Sequence, residues 1–231
     1  EAPCLARERE ENPFLGFRGI RYCLQRQDLF KTQLRALARA SADGPLSILL
    51  PMVTGVEEVR AARALLREIL EELEADGIAY DRSLRLGAMI ETPAAALTAD
   101  LLAQEADFFS IGTNDLTGYT MAADRGNANV AYLYTPLSPA VLRAIRGSIA
   151  AAKAAGIPVG MCGEAAADPR LIPLLLSFGL EEFSVSPNAI LETRRQIARW
   201  SKADADAIAA EVMAQETTQD VQAALARLTE A

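Results

Sequence analysis

The chain has 231 residues, 31 Asp+Glu against 23 Lys+Arg for a formal net charge of −8, three cysteines and no histidine. A hydrophobic content of 51% with 23% charged residues excludes disorder, and the acidic balance argues against a general nucleic-acid or anionic-membrane surface. The missing histidine excludes His-based triads, His-ligated zinc, phosphohistidine chemistry on this chain and the usual near-neutral proton shuttle, which leaves acid–base work to Cys, Asp, Glu, Lys or Tyr.

Glu1 to Leu5 carries neither a charged-then-apolar leader pattern nor a cleavage site. Cys4, Cys23 and Cys162 are widely spaced, with no CxxC pair, which suits a reducing compartment better than a disulfide scaffold. No apolar run approaches the roughly 18 residues that span a bilayer. The expectation is a cytoplasmic protein without membrane insertion.

In chain order, Ser47 to Leu50 is the first clear strand, closed by Pro51. Thr54 with Glu57 reads as a capping box, and Val56, Val59, Ala62, Leu66, Ile69 and Leu73 keep one helix face apolar until Gly77. Leu86 to Ile90 is a second strand, followed by Glu91-Thr92-Pro93 and an Ala-rich helix. Phe108 to Ile111 is a third, ending at Gly112. Ser138-Pro139 starts a helix with Leu142, Ile145 and Ile149 buried, and Gly156 ends it. Pro158 to Met161 predicts a fourth strand. Leu171 to Leu176, the most apolar stretch, is of helix-core length. Glu182 to Val185 predicts a fifth strand, with Ser186-Pro187 opening another helix. Helical segments at about 203–214 and 217–229 finish the chain. Alternating strands and helices without a linker predict one α/β domain over residues 1–231 with a parallel sheet.

Such folds gather their active sites at the carboxyl ends of the strands. Glu91 follows the second strand, Thr113-Asn114-Asp115 the third, Cys162-Gly163-Glu164 the fourth, and Ser184 and Ser186 lie at the fifth. Glu91 and Asp115 supply two hard anionic oxygens, a minimal protein contribution to a Mg²⁺ site; alternatively, Glu91 caps the helix that begins near Thr92. Asn114 offers amide donors beside backbone N–H groups suited to an anion, or belongs to an ordinary N-cap turn. Arg125 is a loop arginine for an anionic ligand, or a solvated surface group. Cys162 is a buried structural thiol, or a proton donor that Glu164 keeps protonated.

Glu11 to Arg21 (ENPFLGFRGIR), Gly87 to Pro93 (GAMIETP), Phe108 to Thr117 (FFSIGTNDLT), Asp124 to Asn127 (DRGN) and Gly160 to Glu164 (GMCGE) resemble the enzymes that use phosphoenolpyruvate (PEP). Among them the chain is most similar to the PEP-binding C-terminal domain of the enzyme I group of the bacterial sugar phosphotransferase system. The resemblance runs from about residue 10 to about residue 200, in order. It implies a (β/α)8 TIM-type barrel that binds PEP with Mg²⁺ and forms a homodimer through this domain. Residue by residue, it implies that Arg18 and Arg125 grip the phosphate and that Asn114 hydrogen-bonds the substrate. Glu91 and Asp115 would hold Mg²⁺, and Cys162 would protonate the enolate to give pyruvate.

The acceptor histidine and the docking site for the carrier protein HPr belong, in that group, to N-terminal domains that have no counterpart here. Only ten residues precede Glu11, where the family has strands, one of them with a further phosphate-binding arginine that Arg7 and Arg9 do not match. An eight-stranded barrel usually needs about 250 residues. The chain therefore reads as a barrel lacking its first strands, a fragment inactive in phosphate transfer by itself. Gly118 stands where relatives have glutamine. The barrels of pyruvate phosphate dikinase and PEP synthase are the alternative enzymatic reading, and a non-catalytic dimerisation or regulatory barrel is the alternative of another class. The Asn12 to Gly16 wording and the acidic C-terminal helices favour the enzyme I group.

Overall fold

The structure, a computed structural model, describes residues 10–229; Cys4, Arg7 and Arg9 lie outside them. Two helices, α1 (Ile20–Gln25) and α2 (Gln27–Ala40), precede the first strand. Neither was assigned from the sequence, although Phe30, Leu34 and Ala38 of α2 recur every fourth residue and are buried. Five strands follow, β1 (Ser47–Leu50), β2 (Arg85–Ile90), β3 (Phe109–Gly112), β4 (Val159–Cys162) and β5 (Glu182–Phe183). All neighbours are parallel and lie in sequence order, β1-β2-β3-β4-β5. Among the described residues β1 and β5 are open edges. The parallel α/β class is thus as expected; closure into a barrel is not seen within these residues.

Parallel strands need crossovers, and helices supply them. α3 (Val56–Ala75) joins β1 to β2, α4 (Pro93–Leu97) and α5 (Ala99–Leu102) join β2 to β3, and α6 (Thr113–Met121) and α7 (Pro139–Ala155) join β3 to β4. After β4 come α8 (Ile172–Phe178), β5, α9 (Ile190–Arg199), α10 (Lys202–Met213) and α11 (Thr218–Thr229). The apolar stripe of α3 is buried as its period requires, at Val59, Ala62, Leu66, Ile69 and Leu73. Each Val, Leu or Ile of the stripe contributes about 1.5–3 kcal/mol when fully buried.

Local boundaries differ from the sequence reading in several places. The α3 cap is Gly55, with Glu58 rather than Glu57 accepting from the Gly55 N–H at 3.1 Å and the Thr54 hydroxyl at 3.1 Å. The Ala-rich helix breaks at Thr98, whose hydroxyl donates to the Ala94 carbonyl at 2.9 Å. β3 begins at Phe109, one residue later than expected. β4 is shifted by one residue, so Cys162 is its last residue rather than part of the following loop. β5 is only two residues long, and Ser186-Pro187 opens a single 3-10 turn before α9.

The two sheet faces differ. Ile48, Leu50, Leu86, Ala88, Ile90, Phe109, Ile111, Val159 and Met161 alternate onto one face and are all buried in the core with the helices. The pairings Leu49–Gly87, Met89–Ser110, Gly112–Cys162 and Gly160–Glu182 define the other. There Leu49, Met89, Ser110 and Cys162 are only half-buried and Glu182 is exposed. All-parallel sheets are ordinarily covered on both faces, so this second face is the one the described chain leaves partly open. No helix among the described residues is long and apolar enough to cross a membrane.

Candidate active site

Glu91 leaves β2 on the partly open face, yet it is only 5% exposed. Its Oε1 accepts the Met52 backbone N–H at 2.6 Å. The helix that follows is capped by Thr92 instead, whose hydroxyl oxygen accepts from the Ala95 N–H at 3.1 Å and whose proton goes to the Val53 carbonyl at 2.7 Å. Helix capping therefore does not explain Glu91. A Cβ at Gly112 would lie 2.8 Å from both the Cβ and Oε2 of Glu91, so glycine alone lets β3 pass this close. Met52, just beyond β1, holds φ at +61°, a left-handed conformation that is strained for a non-glycine residue. The bond to Glu91 helps to hold it there.

Burial pushes the Glu91 carboxyl above its ordinary range, and the neighbouring Asp115 charge pushes the same way. The Met52 N–H and the Arg18 guanidinium oppose this without cancelling it. Asp115 lies in the first turn of α6, and its Oδ2 meets Arg18 at 3.2 Å. Arg18 also donates to the Tyr119 hydroxyl at 3.5 Å and packs 5.8 Å over the Phe14 ring. The Tyr119 hydroxyl donates in turn to the Phe14 carbonyl and lies 3.8 Å from the Met52 sulfur. Burial, then the Asp115 charge, raises the Tyr119 phenol above its usual value, so it keeps its proton.

The second half of the cluster grows from the same turn. Asn114 accepts the Glu164 N–H on its Oδ1 at 3.3 Å, and its carbonyl accepts the Tyr134 hydroxyl at 2.8 Å. Cys162 pairs in register with Gly112; its carbonyl accepts the Thr113 hydroxyl at 3.0 Å, and its sulfur lies 3.6 Å from the Ser110 hydroxyl. The Glu164 carboxylate, expected to act on the thiol, is paired instead with Arg125 at 3.3 Å. Those two side chains are 60% and 80% exposed, so the pair is worth about 0–1 kcal/mol and yields readily to a better anion.

Arg18, Glu91 and Asp115 are thus brought together, and Asn114, Cys162, Arg125 and Glu164 adjoin them through the start of α6. Cys23 packs against the core instead. Ser184 and Ser186 contribute no side-chain hydrogen bond to the cluster among the described residues. Met52, Tyr119 and Tyr134 were missed from the sequence. Tyr119 had a readable signal, since it lies one helical turn from Asp115 at i+4. At Gly118 a Cβ would meet Tyr134 and the Ala123 carbonyl at 3.5 and 3.6 Å, ordinary contact distances, so a side chain is sterically admissible there.

No group of three or more His, Cys, Asp and Glu residues is disposed as metal ligands among the described residues. Two adjacent carboxylates remain, Glu91 and Asp115; burial first, and then the Asp115 charge, raise the Glu91 carboxyl. An all-oxygen anionic pair of this kind suits a hard cation that takes its other ligands from water and a bound substrate.

Gly163 sets the orientation of the β4 exit. Its φ is +96°, and a Cβ there would lie 2.4 Å from the Thr113 hydroxyl and 3.1 Å from the Asn114 Oδ1. Gly163→Ala should destabilise the fold by about 1–3 kcal/mol, read as a lower denaturation midpoint in urea. An unchanged midpoint would mean that this turn is free to rearrange.

The PEP-binding domain of PEP-utilising enzymes matches residues 1–202. A phosphoenolpyruvate-protein phosphotransferase from Geobacillus stearothermophilus is 52% identical over 221 residues, 96% of this chain and 38% of the relative. Proteins of the same name from Priestia megaterium and Bacillus subtilis (strain 168) are each 50% identical over 96% of this chain and 39% of their own length. The chain therefore spans less than two-fifths of these relatives. A crystal structure of a citrate lyase from Burkholderia xenovorans LB400 superposes with a TM-score of 0.55 at 20% identity, covering 87% of this chain and 68% of that one; the likeness is one of fold.

Proposed function

This chain belongs to the PEP-utilising enzymes, and we propose that it is the C-terminal PEP- and Mg²⁺-binding domain of a cytoplasmic phosphoenolpyruvate–protein phosphotransferase. The observation that carries the proposal is the convergence of Glu91, Asn114, Asp115 and Cys162 at the ends of adjacent strands, with Arg18 brought to them by its pair with Asp115. The names of the relatives favour this reading over pyruvate phosphate dikinase or PEP synthase. The parallel sheet, with strands in sequence order and one partly open face, is read as an arc of a (β/α)8 barrel. Homodimerisation through the domain belongs to the same reading.

Arg18 and Arg125 would grip the PEP phosphate, since guanidinium groups bind phosphate oxygens bidentately. Each is paired with a carboxylate that a phosphate can displace. The Nδ2 donors of Asn114 would reach a substrate oxygen. Glu91 and Asp115 would hold Mg²⁺, which when bound neutralises charge on the substrate oxygens. Loss of the phosphoryl group to a histidine on another domain, and from there to HPr, breaks the P–O bond and leaves the pyruvate enolate. Cys162 would then give its S–H proton to the enolate carbon, forming the methyl group of pyruvate and a thiolate.

Calorimetry with PEP and Mg²⁺ tests the binding half of this reading. Saturable heat is expected from the wild-type chain, with affinity falling roughly tenfold or more in Arg125→Ala, the scale of a lost charge-assisted contact. No saturable heat, or equal affinity in the variant, would count against the phosphate site. The non-catalytic barrel would give the first of these results.

A further inference from the structure

Arg18 lies in an irregular segment before α1, and it reaches the site through two side chains of α6. Asp115 and Tyr119 are one helical turn apart and both meet the same guanidinium, at 3.2 and 3.5 Å. They differ in what happens when the site fills. On the proposed function, on which this inference rests, Asp115 also serves the cation, and a carboxylate engaged by a divalent ion is a weaker partner for Arg18. Tyr119 is a neutral phenol outside the candidate ligand pair, so its contact survives. Its hydroxyl donates to the Phe14 carbonyl as well, which holds the other end of the same segment. The Phe14 ring, in turn, lies under the guanidinium. One hydroxyl therefore pins the arginine-bearing segment to the aspartate-bearing helix at two points.

We infer that Tyr119 is a positioning residue: it keeps the Arg18 guanidinium at the mouth of the site, available to the PEP phosphate, when a cation takes over Asp115. Tyr119→Phe in the full 231-residue chain removes the hydroxyl and keeps the ring. PEP affinity in the presence of Mg²⁺ should fall by roughly tenfold, with affinity for Mg²⁺ alone unchanged. In an Arg18→Ala background the same substitution should change PEP affinity by less than about twofold, because a residue that acts through Arg18 has nothing left to position. A similar loss in both backgrounds, no loss in either, or a parallel loss of Mg²⁺ affinity would overturn the role.

A second measurement needs no ligand. Release of the anchor should speed trypsin cleavage of the Arg18–Gly19 bond at least about threefold. Should the wild-type chain give no PEP heat, the proposed function falls, and cleavage at this bond then decides the anchor by itself: acceleration upholds it and an unchanged rate overturns it.

Discussion

Cys162→Ala in a full-length phosphotransferase carrying this domain should slow pyruvate formation from PEP by about 10²–10⁴-fold, the usual contribution of a positioned general acid. PEP and Mg²⁺ affinities should stay near wild type, because the thiol belongs to neither the arginine pair nor the carboxylate pair. The expectation rests on position. Cys162 ends β4 on the partly open sheet face, beside Gly112 in register and with the Ser110 hydroxyl 3.6 Å from its sulfur. Without histidine in the chain, few groups here can deliver a proton near neutral pH. A stereochemical readout sharpens the test. Protonation from Cys162 reaches one face of the enolate, whereas an enolate released by the variant is protonated by water on both. Pyruvate made in deuterated water from PEP carrying one tritium stereospecifically on its methylene carbon should therefore lose its configurational bias in Cys162→Ala. Full turnover with retained bias would assign the proton to another group.

The second large effect is expected at Glu91. Its carboxyl is raised in the folded chain, chiefly by burial and then by Asp115. Folding therefore favours its protonated form. Below the unfolded carboxyl pKa both states carry the proton and the site costs nothing. As the pH rises through that value the unfolded chain releases its proton first, and stability falls until the folded carboxyl ionises in turn. Glu91→Gln can keep the bond from the Met52 N–H but carries no charge. Without divalent cation the variant should melt above wild type at neutral pH, with the difference vanishing in acid. Added Mg²⁺ should reverse the order, since it stabilises only the protein that binds it. Loss of metal affinity should be at least about 10–100-fold, the size that even an outer-shell partner commands. Equal Mg²⁺-dependent stabilisation of both proteins would remove Glu91 from the ligand pair.

The strand ends were legible in the sequence because short apolar runs closed by Pro51, Glu91 and Gly112 report backbone and burial locally. The boundaries that moved have local competitors. The Thr98 hydroxyl bonds back into its own helix, and Glu58 reaches two backbone N–H groups where Glu57 was expected. Met52 reads as one more core methionine, and nothing in its neighbours announces a left-handed backbone held by a glutamate 39 residues away.

What the sequence by itself determined is which chemical groups arrive at the mouth, since parallel α/β topology delivers strand-end residues to one edge. Which groups face one another was decided only by the tertiary structure. Arg18 meets Asp115 across 97 residues, and Arg125 takes the carboxylate of Glu164 across 39. The physical reason is the range of the two signals. Hydrophobic period and capping chemistry act within a few residues, whereas side-chain pairing depends on strand register and on how far each loop carries its residue back over the sheet.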